Sequence, residues 1–257
     1  MRHAKSLSNC AIVSTIEFPR ILVQLVQESD NLFRLTRFGM INCFLVREDD
    51  GLTLIDASLA GSATGIHKAA QSLGAPVCRI ILTHAHIDHV GSLDAVVRQF
   101  PGIEFAVGRR ESRLLARDFS LDAGESGKKL FGFPGAKSRP TRFLNDGDRV
   151  GSLQASFSPG HTPGHMAFLD LRDGSLIAGD AFTTQTGVVA AGVFRPSFPF
   201  PWLFAWNRHY AAESARKLRE LKPERLAVGH GKTIESPLAA MDQAIELAFQ
   251  QCGKMLN

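Results

Sequence analysis

The segment Thr83-His84-Ala85-His86-Ile87-Asp88-His89 constrains this chain more than any other. It follows Val77 to Leu82, which reads as a short strand of the kind buried on both faces of a sheet. Residues i and i+2 at a strand end aim two imidazoles at one point. Asp88 and His89, where the chain turns into the next helix, aim at a neighbouring point. Neutral imidazole and carboxylate suit zinc and other borderline divalent metals. The competing reading is a His-rich surface loop. Three His and one Asp directly after a buried strand weigh against it.

Further donors stand at other predicted strand ends. His161 lies in Ser158-Pro159-Gly160-His161-Thr162-Pro163-Gly164-His165, Asp180 in Ala178-Gly179-Asp180, and His230 in Val228-Gly229-His230-Gly231. Each adjoins glycine, where the backbone turns sharply and brings a side chain in closely. Alone, each is more readily structural; beside the first cluster, they read as the remaining ligands of a two-metal site.

The rest of the pattern fits one α/β unit. Strands are expected over 21–27, 32–37, 41–47 and 52–56, with Glu48-Asp49-Asp50-Gly51 as a hairpin turn. Helices are expected at 62–73, about 88–100 and 109–118, with a strand at 103–107 between the last two. Residues 119–140 lack a clear period and read as a surface loop or flap. Strands at 149–158, 165–171 and 175–178 follow, then a helix at 203–221, a strand at 225–228 and a helix at 236–252. No linker divides the 257 residues, so the expectation is a single domain over 1–257, with its core at about 20–252. Two mixed sheets packed inside helices, an αββα four-layer sandwich, fit this order.

Composition narrows the partners. The chain is 44% hydrophobic and 21% charged, and no run of apolar residues is long enough to cross a membrane. A net charge of +4 without clustering gives no nucleic-acid footprint. Cys10, Cys43, Cys78 and Cys252 are far apart and read as reduced thiols, which with the absence of a secretory pattern behind Arg2, His3 and Lys5 implies a cytoplasmic protein. His3, His67 and His209 read as surface residues.

The chain resembles the metallo-β-lactamase-fold hydrolases: His84, His86, Asp88 and His89 match their HxHxDH motif, and His161, Asp180 and His230 match the later ligands in order. The resemblance implies that His84, His86 and His161 hold one divalent metal. Asp88, His89 and His230 would hold a second, with Asp180 bridging. Zinc is the expected metal, with manganese, iron and cobalt compatible. It implies a metal-bridging hydroxide as nucleophile, with Asp88 able to orient it. Asp56 resembles the acid that fixes a ligand histidine by hydrogen bonding, and His165 is supportive.

Subfamily patterns point toward a carboxylic ester, lactone or thioester as substrate. Asp180 stands where one group of true β-lactamases has cysteine. Only 27 residues follow His230, short of the helical domain of glyoxalase II. The basic arm of the transfer-RNA-processing nucleases is missing. The alternatives are a mononuclear-iron persulfide dioxygenase, a phosphodiesterase or nuclease, and a non-catalytic metal-binding module. The expected partner is a small molecule, held in a pocket built from Phe182, Phe194, Phe198 and Trp202. The competing use of that aromatic stretch is a cap or homodimer contact. Tyr210, the only tyrosine, falls on a predicted helix.

Overall fold

A computed structural model describes residues 23–253 and the backbone of 12–16. Arg2, His3, Lys5, Cys10 and the first two residues of the strand expected at 21–27 lie outside the described residues. Strands β1 (Ile12–Ile16), β2 (Val23–Gln27), β3 (Leu32–Arg37), β4 (Ile41–Glu48) and β5 (Gly51–Ile55) form an antiparallel meander. Helix α1 (Ala63–Ser72) then crosses to β6 (Val77–Leu82), parallel to β5. Helices α2 (Ile87–Val90) and α3 (Leu93–Gln99) lead to β7 (Glu104–Gly108), and α4 (Arg109–Leu115) precedes β8 (Arg142–Leu144). Strands β6, β7 and β8 pair in parallel. Among the described residues this sheet has eight strands in sequence order.

The second sheet begins with β9 (Arg149–Val150), β10 (Leu153–Phe157), β11 (Met166–Asp170) and β12 (Ser175–Ile177), antiparallel throughout. A small pair, β13 (Phe182–Thr183) and β14 (Val189–Ala190), stands apart. Helices α5 (Phe200–Phe204) and α6 (Arg208–Glu220) follow. Strand β15 (Arg225–Ala227) then pairs in parallel with β12, and β16 (Ile234–Glu235) and α7 (Leu238–Gly253) close the chain.

Side-chain alternation stacks these elements into four layers. On β6, Ile80 and Leu82 face Ile66 of α1 and Leu93 and Val96 of α3. Ile81, pointing the other way, joins Phe44 and Ile55 against Phe168, Ile177 and Ala227 of the second sheet. The outer face of that sheet, including Leu176 and Leu226, packs on Ala212 and Leu218 of α6 and Met241 and Ile245 of α7. A period of two with both faces apolar fixes β6 between two cores. Arg79 is the exception on that strand: half-buried at its start, it pairs with Asp50 and bonds Thr53 Oγ1 at 3.2 Å.

Three expected elements are broken. The helix expected at 88–100 divides at Gly91-Ser92, because Gly91 passes so close to Ala60 that a Cβ would lie 2.5 Å from its nitrogen. The helix expected at 203–221 divides into α5 and α6; Asn207 caps α6, its side chain accepting from Tyr210 N at 3.0 Å. The strand at 149–158 turns at Gly151-Ser152 into β9 and β10. Strands β1, β8, β13, β14 and β16 were not legible, being too short or too irregular to show alternation. His67, expected at the surface, is half-buried with its ring 5.4 Å from that of Phe100.

Chain direction places the site. Strands β5, β6 and β7 run parallel, as do β10, β12 and β15, the last two paired and β10 reversed twice from β12. The loops leaving their carboxyl ends meet at one edge, where open α/β sheets bind ligands.

Phe168 is fully buried between the sheets. Phe168→Ala should therefore cost about 3–5 kcal/mol in denaturant unfolding. Leu171→Ala, at an exposed turn, should stay within about 0.5 kcal/mol.

Candidate metal centre

Five of the seven expected ligands lie on loops leaving β6, β10, β12 and β15, and Asp88 and His89 sit on the single turn of α2. They form three overlapping groups: His84, His86 and His161; His84, His89 and Asp180; and Asp88, His89 and His230. Within each group the donor atoms lie within 4.8 Å of one another. His86 Nδ1 is 2.9 Å from His161 Nε2. Asp180 sits between the groups: Oδ1 is 3.4 Å from His89 Nε2, and Oδ2 is 3.4 Å from His161 Nε2 and 3.2 Å from His230 Nε2. Asp88 Oδ2 is 3.2 Å from His230 Nε2.

Hydrogen bonds behind the rings fix which nitrogen keeps a free lone pair. Asp56 accepts from Thr83 N at 2.8 Å, from Thr83 Oγ1 at 2.7 Å and from His89 Nδ1 at 2.8 Å. Having given its proton to Asp56, the Thr83 hydroxyl can only accept from His84 Nδ1, 3.0 Å away. His230 Nδ1 donates to Met40 O at 3.1 Å. His84, His89 and His230 thus all donate from Nδ1 and turn Nε2 inward. His165 is different: its Nε2 accepts from Asp180 N at 3.2 Å, and Nδ1 donates to Ser158 Oγ at 2.9 Å. Both of its nitrogens are used, so it orients Asp180 and is no ligand.

The interior also contains polar atoms that lack protein partners. His84 Nε2, His89 Nε2 and Asp180 Oδ1 are buried and make no hydrogen bond. Such atoms are costly unless something satisfies them, and imidazole lone pairs facing carboxylate oxygens fit a divalent cation. Electrostatics agrees. Burial pushes His84 and His161 well below the usual histidine range and His86 to about 4. Against the same burial, Asp180 and Asp88 hold His230 up at about 10, and Asp180 with Asp56 holds His89 well above its usual range. The carboxylates attract positive charge to that half of the site.

These groups form the floor of a cavity of about 250 Å³. Its floor includes His86, Asp88, His161, Asp180 and His230, and its walls include Met40, Phe182, Phe198, Phe200 and Phe204. Phe182 and Phe198 are placed as expected. Phe194 and Trp202 are not: they pack on each other, ring centroids 5.6 Å apart, outside the cavity. Positions i and i+4 of a helix share a face, so Phe200 and Phe204 of α5 point inward and Trp202 outward. Tyr210 stacks on Trp206 at 5.8 Å and does not line the cavity. The irregular stretch 119–140 reaches the site, with Gly132 in the wall and the Phe133 ring 4.5 Å from His86.

Two supports escaped the sequence reading. Buried Glu111 accepts from Ala85 N at 2.7 Å, Thr162 Oγ1 at 2.8 Å and Gly164 N at 3.1 Å. Its burial, opposed by these donors, pushes the carboxyl up to about 7. Buried Asn42 donates to Val228 O at 2.9 Å and Gly231 O at 2.7 Å, on either side of His230. Gly229 is required in that loop, because a Cβ there would collide with Asp180 Oδ1.

Comparison with known proteins gives the family of the chain. Residues 36–230 match the family model described as the metallo-beta-lactamase superfamily. The uncharacterized protein YobT of Bacillus subtilis is 46% identical over 228 residues, covering 87% of this chain and 98% of its own. The probable metallo-hydrolase YflN of the same organism is 28% identical, covering 73% and 78%. A crystal structure titled TTHA1623 in a di-iron-bound form superposes with a TM-score of 0.59 at 27% identity, covering 78% of this chain and 92% of that one. From Thr36 through its last candidate ligand, His230, the chain belongs to the metallo-beta-lactamase superfamily.

Proposed function

We propose that the protein is a dinuclear metal-dependent hydrolase of a carboxylic ester, lactone or thioester whose acyl part is apolar and uncharged. The carrying observation is one carboxylate, Asp180, set between two donor groups at the floor of an aromatic-walled cavity. His84, His86 and His161 would hold one ion, Asp88, His89 and His230 the other, with Asp180 shared. Ions held there would polarise a carbonyl and lower the pKa of a water at neutral pH. Asp88, whose side chain is 24% exposed at the cavity floor, would orient that water.

The cavity lining supports the choice of substrate. Beyond the candidate ligands, the described lining residues are almost wholly apolar, and none is Lys or Arg. A substrate bearing carboxylates or phosphate would meet no cation along these walls, whereas an aliphatic or aromatic acyl group buries surface at roughly 25 cal/mol per Å². The di-iron form of the solved relative makes iron, beside zinc, a metal to assay.

Metal analysis of the purified protein should find about two equivalents of transition metal. Chelation should abolish hydrolysis across an ester, lactone and thioester panel, and re-addition should restore it. A chelator-indifferent enzyme, or one iron with oxygen consumed in the presence of a persulfide, would overturn the proposal. Asp180→Asn should lower kcat/KM by at least about 100-fold while the chain stays folded by circular dichroism. Phe198→Ala should raise KM for a medium-chain acyl ester by about tenfold, yet change the acetyl ester little. An equal effect on both substrates would remove Phe198 from the acyl wall.

A further inference from the structure

Among the described residues, Glu111 is the one buried carboxylate near the centre that is not a candidate ligand and makes no hydrogen bond to one. It is fully buried on α4. Oε1 accepts from the backbone of Ala85, the residue between His84 and His86. Oε2 accepts from Thr162, the residue after His161, and from Gly164. The first loop belongs to the eight-stranded sheet and the second to the other sheet. One side chain therefore spans the two layers at the point where three imidazoles converge.

Anchoring α4 does not require this acid. Leu114 and Leu115, both within the outer core of the first sheet, already do that. Three donors directed at two oxygens are instead the contacts of an acceptor-only carboxylate. The other half of the centre has its own tie: Asn42 grips the backbone on both sides of His230, and Met40 O holds the His230 ring.

We infer that Glu111 is a positioning residue that sets the spacing of His84, His86 and His161, and thereby the affinity of that half of the centre for its metal. The inference rests on the metal-centre reading above. Glu111→Gln keeps the shape but replaces one acceptor by an NH2 group, so at least one of the three donors loses its partner. Thr162→Val removes one donor and leaves the carboxylate in place.

The test is titration of the metal-free protein with Co2+, followed by its visible absorption, in two backgrounds. His230→Ala leaves the three-imidazole half intact, and His161→Ala leaves the other half. Glu111→Gln should weaken Co2+ binding about tenfold or more in the His230→Ala background and by less than about twofold in the His161→Ala background. Thr162→Val should show the same selectivity at smaller size. Unchanged affinity in the His230→Ala background, or equal losses in both, overturns the inference. Should Glu111→Gln fail to fold, Thr162→Val alone decides by the same criterion. A native chain that takes up no Co2+ overturns the metal-centre reading as well; native uptake with selectivity absent overturns only the role of Glu111.

Discussion

The carboxylate of Asp56 organises the centre from behind. At the end of β5, with φ of 62°, it accepts two hydrogen bonds from Thr83 and one from His89. A carboxylate buried to this degree is tolerated only when its lone pairs are used, and removing one partner of such a set typically costs several kcal/mol. The bonds join the carboxyl ends of two parallel strands. They also fix protons: Thr83 spends its hydrogen on Asp56, so His84 must donate from Nδ1, and His89 must do the same. Both rings then present Nε2 to the interior. The lone-pair geometry that a divalent cation needs is thus set by a residue that touches no cation.

Around this tie the two sheets contribute complementary halves. The first delivers His84, His86, Asp88 and His89 from one loop and turn; the second delivers His161, Asp180 and His230 from three strand ends. Because the halves come from different layers, their relative placement depends on contacts that cross between sheets. The inter-sheet core of Phe44, Ile55, Ile81, Phe168 and Ile177 sets the distance broadly. Glu111 and Asn42 set it locally. Apolar packing is non-directional, whereas these polar bonds have preferred lengths and angles, so precision at the site falls to the latter.

What could be read from the sequence follows the same division. The HxHxDH segment and the glycine-flanked His161, Asp180 and His230 were legible because strand ends place side chains by local rules. The four layers were legible because alternation on strands such as β6 and helical spacing on α6 and α7 reveal which faces are covered. Glu111 and Asn42 were not. A lone Glu on a polar helix and a lone Asn in a strand carry no local signal, and the backbone groups they hold at the site lie 26 or more residues away. The split helices failed for a related reason: the break at Gly91 answers to the backbone of Ala60, a tertiary contact invisible to periodicity.

The aromatic stretch from Phe182 to Trp206 shows how composition can identify a wall without identifying its inner face. Clustering pointed to all its rings, but α5 is barely more than one turn, and its two faces do different work. Phe200 and Phe204 line the cavity. On the opposite face, Lys128 Nζ lies 4.5 Å and Arg208 Cζ 4.9 Å from the Trp202 ring, and Lys128 Nζ also donates to Trp202 O at 2.8 Å. Lys128 N donates to Trp206 O at 2.8 Å, and Asn207 Nδ2 to Ser126 O at 2.7 Å. A five-residue helix has little stability of its own. The cation–π and backbone contacts on its outer face therefore hold the inner one in place. Trp202, placed outside the cavity, still shapes it by anchoring the turn that carries Phe200 and Phe204.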